Sequence, residues 1–225
     1  MRFLGLHNSI QIDCKIKTGM IKIGVNGDSF SLFDHSGYIL IATRKSSIIF
    51  NGPCRIALNS KIRCVSGKLI FGYNCRIGSN TRIICNGGNI TIGDNTGIAF
   101  DCNVINSSFH YIYDSNDNAY INRSGEICIG DNNWIGNNST IYQGSVTSDN
   151  TIVSQKSLLN KDYTEFGEYN LIGGMPAKVL KKGLKRVFSP KVEVEISSLF
   201  SKNNEIQRLC HQEIYDDISD INVEM

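Results

Sequence analysis

The fold is indicated by residues 48–104, which read IIFNGPCRIALNSKIRCVSGKLIFGYNCRIGSNTRIICNGGNITIGDNTGIAFDCNV. Residues 48–51, 69–72 and 90–93 align at intervals of 21 residues. Within each interval the large apolar residues recur at every sixth position, and three additional residues complete the period. These large positions are Phe50, Ile56, Ile62, Phe71, Ile77, Ile83, Ile92, Ile98 and Val104. A fixed period of this length is the signature of a repeat architecture.

A small residue follows most of the large positions at a distance of four. The small residues are Cys54, Ser60, Cys75, Thr81, Thr96 and Cys102. One large and one small position in six residues fit a short strand that ends in a turn, and three such units make one triangular coil. Coils then stack as parallel strands about 4.8 Å apart, each burying the apolar column of the next. The sequence therefore predicts a mostly β chain folded as a parallel β-helix of hexapeptide repeats.

The six-residue rhythm stops after Val104 and predicts an extruded loop over residues 106–126, since a solenoid accepts insertions at its corners. Two further coils follow, with large positions at Ile129, Ile135, Ile141, Thr147, Val153 and Leu159. Ser139, Ser145, Thr151 and Ser157 take their small positions.

Three segments are expected along the chain. Residues 1–47 have β-like runs without a clean register and should form irregular capping coils, because terminal repeats are atypical. Residues 48–178 form the β-helix, and residues 179–225 form a C-terminal helical extension. Residues 177–187, which overlap the start of that extension, are predicted to form a short amphipathic helix. Residues 203–221 alternate acidic and apolar residues, and this pattern predicts a second helix.

Composition limits the classes of partner. The 225 residues carry 23 basic and 21 acidic side chains, a net charge of +2, and this balance argues against a nucleic-acid partner. No apolar run approaches a membrane-spanning length, and the N-terminus has no export signal, so we expect no integral membrane segment and a cytoplasmic location. The eight cysteines should then be reduced, and stacked pairs such as Cys54 and Cys75 should be packed as small hydrophobes.

The extruded loop contains the candidate catalytic residues. His110 lies within it, Asp114 follows four residues later, and Trp134 stands 24 residues after the histidine, where the rhythm has restarted. A lone loop histidine is weak support for catalysis. Its position in the one long break of the repeat, ahead of the only tryptophan, favours a catalytic site.

Several motifs of this region resemble the hexapeptide-repeat acetyltransferases, above all the bacterial capsule, polysialic acid and lipopolysaccharide O-acetyltransferases. The similarity covers about residues 48–185. The matching motifs are Phe109-His110-Tyr111-Ile112-Tyr113-Asp114, Ile121-Asn122, Ile129-Gly130-Asp131, Trp134-Ile135-Gly136 and Gly174-Met175-Pro176-Ala177-Lys178. The resemblance implies a left-handed β-helix, a homotrimer with active sites between subunits, acetyl-CoA as the acyl donor and a carbohydrate acceptor.

The resemblance also implies roles for residues of the loop. His110 would be the general base that removes a proton from a sugar hydroxyl, a task suited to a side chain whose pKa lies near neutrality. Trp134 would line the site near the acceptor and the thioester. The family often has Ser-Asp-x-His where this chain has Ser107-Ser108-Phe109-His110, so the partner that orients the histidine is open between Asn106 and Asp114.

The acetyl-CoA site implied by the resemblance runs along the last coils. Gln155 and Asn160 would contact the pantetheine, and Lys161 and Lys181 would approach the nucleotide phosphates as point charges. Lys156 departs from the glycine that the family commonly has at this position.

Three alternatives remain beside O-acetylation of a surface polysaccharide. N-acetylation of a nucleotide-linked amino sugar needs the same donor and base. A non-catalytic β-helix scaffold would fit the altered acetyl-CoA motif. A zinc enzyme of the γ-carbonic anhydrase type, which needs three histidines, is disfavoured because the central coils contain only His110, and we expect no metal.

Overall fold

A computed structural model describes residues 9–25, 40–42 and 46–202. The helix predicted over residues 203–221 lies outside these residues, as does part of the predicted capping segment 1–47. The chain divides into two compact units, residues 1–185 and residues 186–225.

The first unit contains the strands, and the described part of the second contains one helix, α1 (Pro190–Lys202). In chain order the strands are β1 (Ser9–Ile12), β2 (Ile21–Val25), β3 (Leu40–Ala42), β4 (Ser46–Phe50), β5 (Cys54–Ala57), β6 (Lys61–Phe71), β7 (Cys75–Ile77), β8 (Arg82–Asn86), β9 (Ile90–Ile92), β10 (Gly97–Ile98), β11 (Asn103–Ile105), β12 (Ile112–Asp114), β13 (Ala119–Ile121), β14 (Ile127–Ile129), β15 (Trp134–Ile135), β16 (Thr140–Tyr142), β17 (Ile152–Val153), β18 (Leu158–Leu159), β19 (Asn170–Gly174) and β20 (Ala177–Lys182). A short 3-10 helix spans Thr164–Phe166.

The strands form three parallel faces. Face one consists of β1, β4, the second half of β6, β9 and β14. Face two runs β2, β5, β7, β10, β15, β17 and β19, with β20 added antiparallel at its end. Face three consists of β3, the first half of β6, β8, β11, β16 and β18. The predicted fold class, a left-handed parallel β-helix, is confirmed.

The coil length changes along the helix as the sequence period does. Equivalent residues are 21 apart in the early coils, as in the hydrogen bond from the Tyr73 N–H to Asp94 Oδ1. The separation rises to 37 across the extruded loop, from Asp94 to Asp131, and falls to 18 from Asp131 to Asp149. The 106–126 insertion therefore leaves the stacking of the corners intact.

Two of the corners turn on residues with left-handed backbone conformation. Between faces two and three these are Asn59, Asn80, Asp101, Asn138 and Lys156, and between faces one and two they are Asn74, Asn95, Asn132 and Asn150. Asparagine tolerates this conformation better than most residues. Its amides also stack between coils: Asn59 Nδ2 donates to Asn80 Oδ1 at 2.6 Å.

The interior is the predicted apolar column. All nine large positions between Phe50 and Val104 are 0–2% exposed, and the Phe50 and Phe71 rings stack with centroids 5.0 Å apart. The predicted small positions are also buried. Burial raises the pKa of the Cys75 thiol to about 12 and that of Cys102 to about 11, so these thiols remain protonated and pack as small hydrophobes.

The helix predicted over residues 177–187 is wrong in its first half. Residues 177–182 form β20, which pairs antiparallel with β19 after a turn at Met175-Pro176. Ala177 is buried and Lys178 exposed, as a strand at the end of a sheet requires. In the capping segment, β1, β2 and β3 pair in parallel with the next coil, so the described parts have more regular register than expected.

Candidate active site

The extruded loop closes at its base through a short antiparallel ladder. The Ser108 N–H donates to the Arg123 carbonyl oxygen at 2.7 Å, and the Gly125 N–H donates to the Asn106 carbonyl oxygen at 3.1 Å. Ser107 and Ser124 form a bridge between these two bonds. Further out, β12 and β13 pair as a hairpin. The loop is therefore a projecting β-ribbon with a fixed base.

His110 lies just beyond this base and is exposed. Its carbonyl oxygen accepts a hydrogen bond from Ser108 Oγ at 2.9 Å. Among the residues that the structure describes, the imidazole has no hydrogen-bond partner. The backbone of His110 is thus held while its ring nitrogens remain open to a substrate.

Phe109 holds the turn that presents His110. Its φ angle is +65°, a left-handed conformation that is rare and strained for an aromatic residue. Two hydrogen bonds fix it: the Phe109 N–H donates to Ser107 Oγ at 3.1 Å, and Arg123 Nη1 donates to the Phe109 carbonyl oxygen at 3.2 Å. Strain of this kind, held on both sides, is frequent at functional sites.

Arg123 is a site residue that the sequence reasoning missed. Its guanidinium lies 5.1 Å from the centre of the Tyr111 ring, so the same side chain contacts residues on both sides of His110. The sequence could have indicated a role for Arg123, because it is the only Lys or Arg in residues 106–126.

The structure gives other contacts to the two residues predicted to orient His110. Asn106 is fully buried at the loop base, where its Oδ1 accepts from the Asn86 N–H at 2.7 Å, while its Nδ2 has no hydrogen-bond partner among the described residues. Asp114 accepts from the Asn116 N–H at 2.9 Å and so caps the hairpin turn. Neither hydrogen-bonds to the His110 ring within the described chain, and their orienting role stays a prediction.

Trp134 is the first residue of β15, on the outer side of face two, and is 44% exposed. Its Cα pairs with Gly97 in the preceding coil and with Ile152 in the following one. A tryptophan packed only for stability would be more deeply buried. Its exposure fits the predicted role in lining a site.

The residues predicted to contact acetyl-CoA lie on the last coils. Gln155, Asn160 and Lys181 are exposed. Lys161 is partly engaged: its Nζ is 3.9 Å from a carboxylate oxygen of Glu165 and lies over the Tyr163 ring. These exposed amides and ammonium groups suit a ligand with amides at one end and phosphates at the other.

The described residues contain neither a cluster of metal ligands nor a helix able to span a membrane. No three His, Cys, Asp or Glu side chains converge there as a metal-ligand set. Likewise, no helix within residues 9–25, 40–42 and 46–202 combines the length and apolar character needed to cross a membrane.

Several solved structures that resemble this chain are acyltransferases. The polysialic acid specific acetyltransferase NeuO matches with a TM-score of 0.53 and 22% identity, covering 87% of this chain and 96% of its own. The polysialic acid O-acetyltransferase OatWY matches with a TM-score of 0.50 and 20% identity, covering 96% and 98%. AntD from Bacillus cereus, an N-acyltransferase seen with dTDP and coenzyme A, matches with a TM-score of 0.51 and 20% identity, covering 86% and 91%. The resemblance to hexapeptide-repeat acetyltransferases is confirmed at the level of the fold.

Curated relatives match a shorter segment. A chloramphenicol acetyltransferase of Morganella morganii is 34% identical over 82 residues, which is 34% of this chain. Another from Agrobacterium fabrum is 30% identical over 70 residues, or 31% of this chain. The match spans 38% and 32% of the length of these relatives. No family model matches the sequence.

Proposed function

We propose that this protein is an acetyl-CoA-dependent O-acetyltransferase that modifies a sugar hydroxyl of a bacterial surface polysaccharide, with His110 as the general base. The presentation of His110 carries the proposal: an exposed imidazole follows a strained residue whose two hydrogen bonds fix it at the base of an extruded ribbon. The proposal is further supported by a fold shared with NeuO and OatWY.

Each part of the site has a chemical task in this proposal. The imidazole of His110 takes the proton of the attacking hydroxyl, since a sugar hydroxyl is a poor nucleophile until that proton leaves. The hydroxyl oxygen attacks the thioester carbonyl of acetyl-CoA, the C–S bond breaks, and the departing coenzyme A thiolate takes up the proton that His110 had accepted. Trp134 packs against the acceptor, and Gln155, Asn160, Lys161 and Lys181 hold the donor. In a homotrimer these two groups would meet between subunits.

N-acylation of a nucleotide-linked amino sugar is the second candidate, because AntD shares the fold and was crystallised with dTDP. The two reactions leave different products. An O-acetyl ester is hydrolysed by mild alkali, whereas an N-acetyl amide survives it.

The test is to incubate the protein with radiolabelled acetyl-CoA and separate polymeric and nucleotide-linked acceptors. We expect label in a polysaccharide that is released by mild alkali. Alkali-stable label in a nucleotide amino sugar would replace the proposal with the second candidate. Absence of acetyl-CoA binding to the folded protein, measured by calorimetry, would favour a non-catalytic scaffold.

A further inference from the structure

The register of the extruded ribbon changes between its base and its hairpin. At the base Ser107 pairs with Ser124, and in the hairpin Ile112 pairs with Ile121. Between these two pairs, four residues of the outgoing strand stand opposite only two residues of the returning strand. The four are residues 108–111, and the two are residues 122–123. The outgoing strand therefore contains a bulge of two extra residues, which we call the 108–111 bulge.

The 108–111 bulge contains His110. A bulge bends its strand and changes the direction in which side chains point, and bulges are frequent beside active sites. The φ angle of Phe109, +65°, is the point at which the backbone leaves strand conformation. The direction of the His110 imidazole therefore depends on the contacts that keep this bulge in shape.

Arg123 contacts the bulge on both sides of His110. Its carbonyl oxygen accepts a hydrogen bond of 2.7 Å from the Ser108 N–H. Its Nη1 donates to the carbonyl oxygen of Phe109 at 3.2 Å, and its guanidinium carbon lies 5.1 Å from the centre of the Tyr111 ring. One residue of the returning strand thus holds the residues that precede and follow the histidine.

The chemistry of arginine suits this double contact. A guanidinium is planar, so it can donate hydrogen bonds at its edge while its face lies against an aromatic ring. The side chain of Arg123 is also partly buried, which restricts its motion. The other residue opposite the bulge, Asn122, has a different contact: its Oδ1 accepts from the Ser124 N–H at 3.3 Å.

We propose that Arg123 is a positioning residue for acetyl transfer, which keeps the 108–111 bulge in the shape that directs the His110 imidazole toward the acceptor hydroxyl. Arg123 acts through the histidine and does not touch the reacting atoms. This inference rests on the proposed function, because it takes His110 as the general base.

Steady-state kinetics of the full-length protein test this role. Arg123→Gln should lower the turnover number about tenfold or more, since a charged hydrogen bond and a cation–π contact are lost. The Michaelis constants for acetyl-CoA and the acceptor should change less than about twofold, because ground-state binding is untouched. A raised Michaelis constant for the acceptor with unchanged turnover would overturn the proposal in favour of direct binding by Arg123.

Two further variants separate shape from charge. Arg123→Lys keeps the charge but can make only one of the two contacts at a time, so it should recover part of the lost turnover. Arg63→Gln is the matched control, because it removes the same charge from an exposed position on face three and should keep wild-type kinetics. An equal loss in Arg63→Gln would mean that general charge, and not the bulge, determines the rate.

The exposed Tyr111 provides a test that does not alter Arg123, in case Arg123→Gln fails to fold. Tyr111→Leu removes the ring from the guanidinium and should lower turnover about threefold. Tyr111→Phe keeps the ring and should retain the wild-type rate. Wild-type turnover by Tyr111→Leu would overturn the double contact on which the proposal depends.

A spectroscopic measurement shows whether Arg123 acts through His110. The chain has four histidines, so the ring signal of His110 in protein labelled with ¹⁵N-histidine is the one that His110→Ala lacks. We expect this signal to shift or broaden in Arg123→Gln and to stay in place in Arg63→Gln. An unmoved signal, or wild-type turnover by Arg123→Gln, would overturn the proposal. Failure of the proposed function has a different result, because His110→Ala itself would then keep wild-type turnover.

Discussion

Ser108 Oγ donates a hydrogen bond of 2.9 Å to the carbonyl oxygen of His110, and the same hydroxyl lies 3.2 Å from the carbonyl oxygen of Arg123. The resemblance to hexapeptide-repeat acetyltransferases led us to expect an aspartate at the position of Ser108. In this chain the residue restrains the backbone of the histidine, and the ring is left without a partner in the described chain. The replacement is therefore consistent with an intact catalytic loop.

Replacing Ser108 by alanine should lower the turnover number for acetyl transfer about fivefold, because one hydrogen bond of roughly 1 kcal/mol no longer holds the His110 backbone. The Michaelis constant for acetyl-CoA should stay unchanged, because the change does not touch the predicted donor site. Ser108→Thr keeps a hydroxyl and should restore most of the rate. Ser115→Ala at the exposed hairpin turn is the control. A Ser108→Ala enzyme with wild-type turnover would show that this contact does not position the histidine.

Asp131 should make stability depend on pH. Burial, with added repulsion from Asp149 and Asp94, raises the pKa of its carboxyl above 3.8. A raised pKa in the folded state means that the charged form is less favourable there than in the unfolded chain. The protonated form therefore contributes stability that is complete below pH 3.8 and is lost as pH rises through the folded-state value.

Asp131→Asn should consequently unfold at a higher urea concentration than wild type at pH 7. Asparagine Oδ1 can still accept the hydrogen bond from the Asp94 N–H, which Asp131 Oδ1 receives at 2.7 Å. The difference should vanish as pH falls toward 3.8. An advantage that grows on acidification would contradict the assigned direction of the pKa shift.

Lys156 should be replaceable by glycine with a gain in stability. Its φ angle is +56°, at a corner where equivalent positions of other coils have asparagine or aspartate. The left-handed conformation costs roughly 1–2 kcal/mol for a residue with a Cβ, so Lys156→Gly should raise the free energy of unfolding by about 0.5–1 kcal/mol after the entropy cost of glycine.

Lys178→Gly provides the comparison, because Lys178 is an exposed lysine in β20 without a left-handed angle. There glycine should lower the free energy of unfolding, as it does in strand interiors. Denaturant titration of both variants gives the answer. Equal destabilisation by the two substitutions would mean that no strain is stored at Lys156.

The β-helix was predictable because its core repeats. Residues such as Ile62 and Ile83 meet in register since each coil repeats the same pattern, so a one-dimensional period determines a three-dimensional column. The strand β20 could not be recognised in the same way. Lysine-rich composition fits an amphipathic helix or a strand at a sheet end equally well, and the pairing with β19 that decides between them follows from the preceding turn.

The candidate site was predictable only in part. His110 stood out because it interrupts the period. Arg123 contacts Phe109 and the Tyr111 ring from the opposite side of the ribbon. The sequence repeat does not extend into this loop, so it could not predict these contacts.

The most direct test of the account compares initial rates of acetyl transfer by wild type and His110→Ala at saturating acetyl-CoA, on the acceptor that the radiolabelling experiment identifies. Loss of a general base should lower turnover roughly 100- to 10,000-fold while acetyl-CoA binding, measured by calorimetry, is unchanged. Wild-type turnover by His110→Ala would show that His110 is not the base and would remove the central claim.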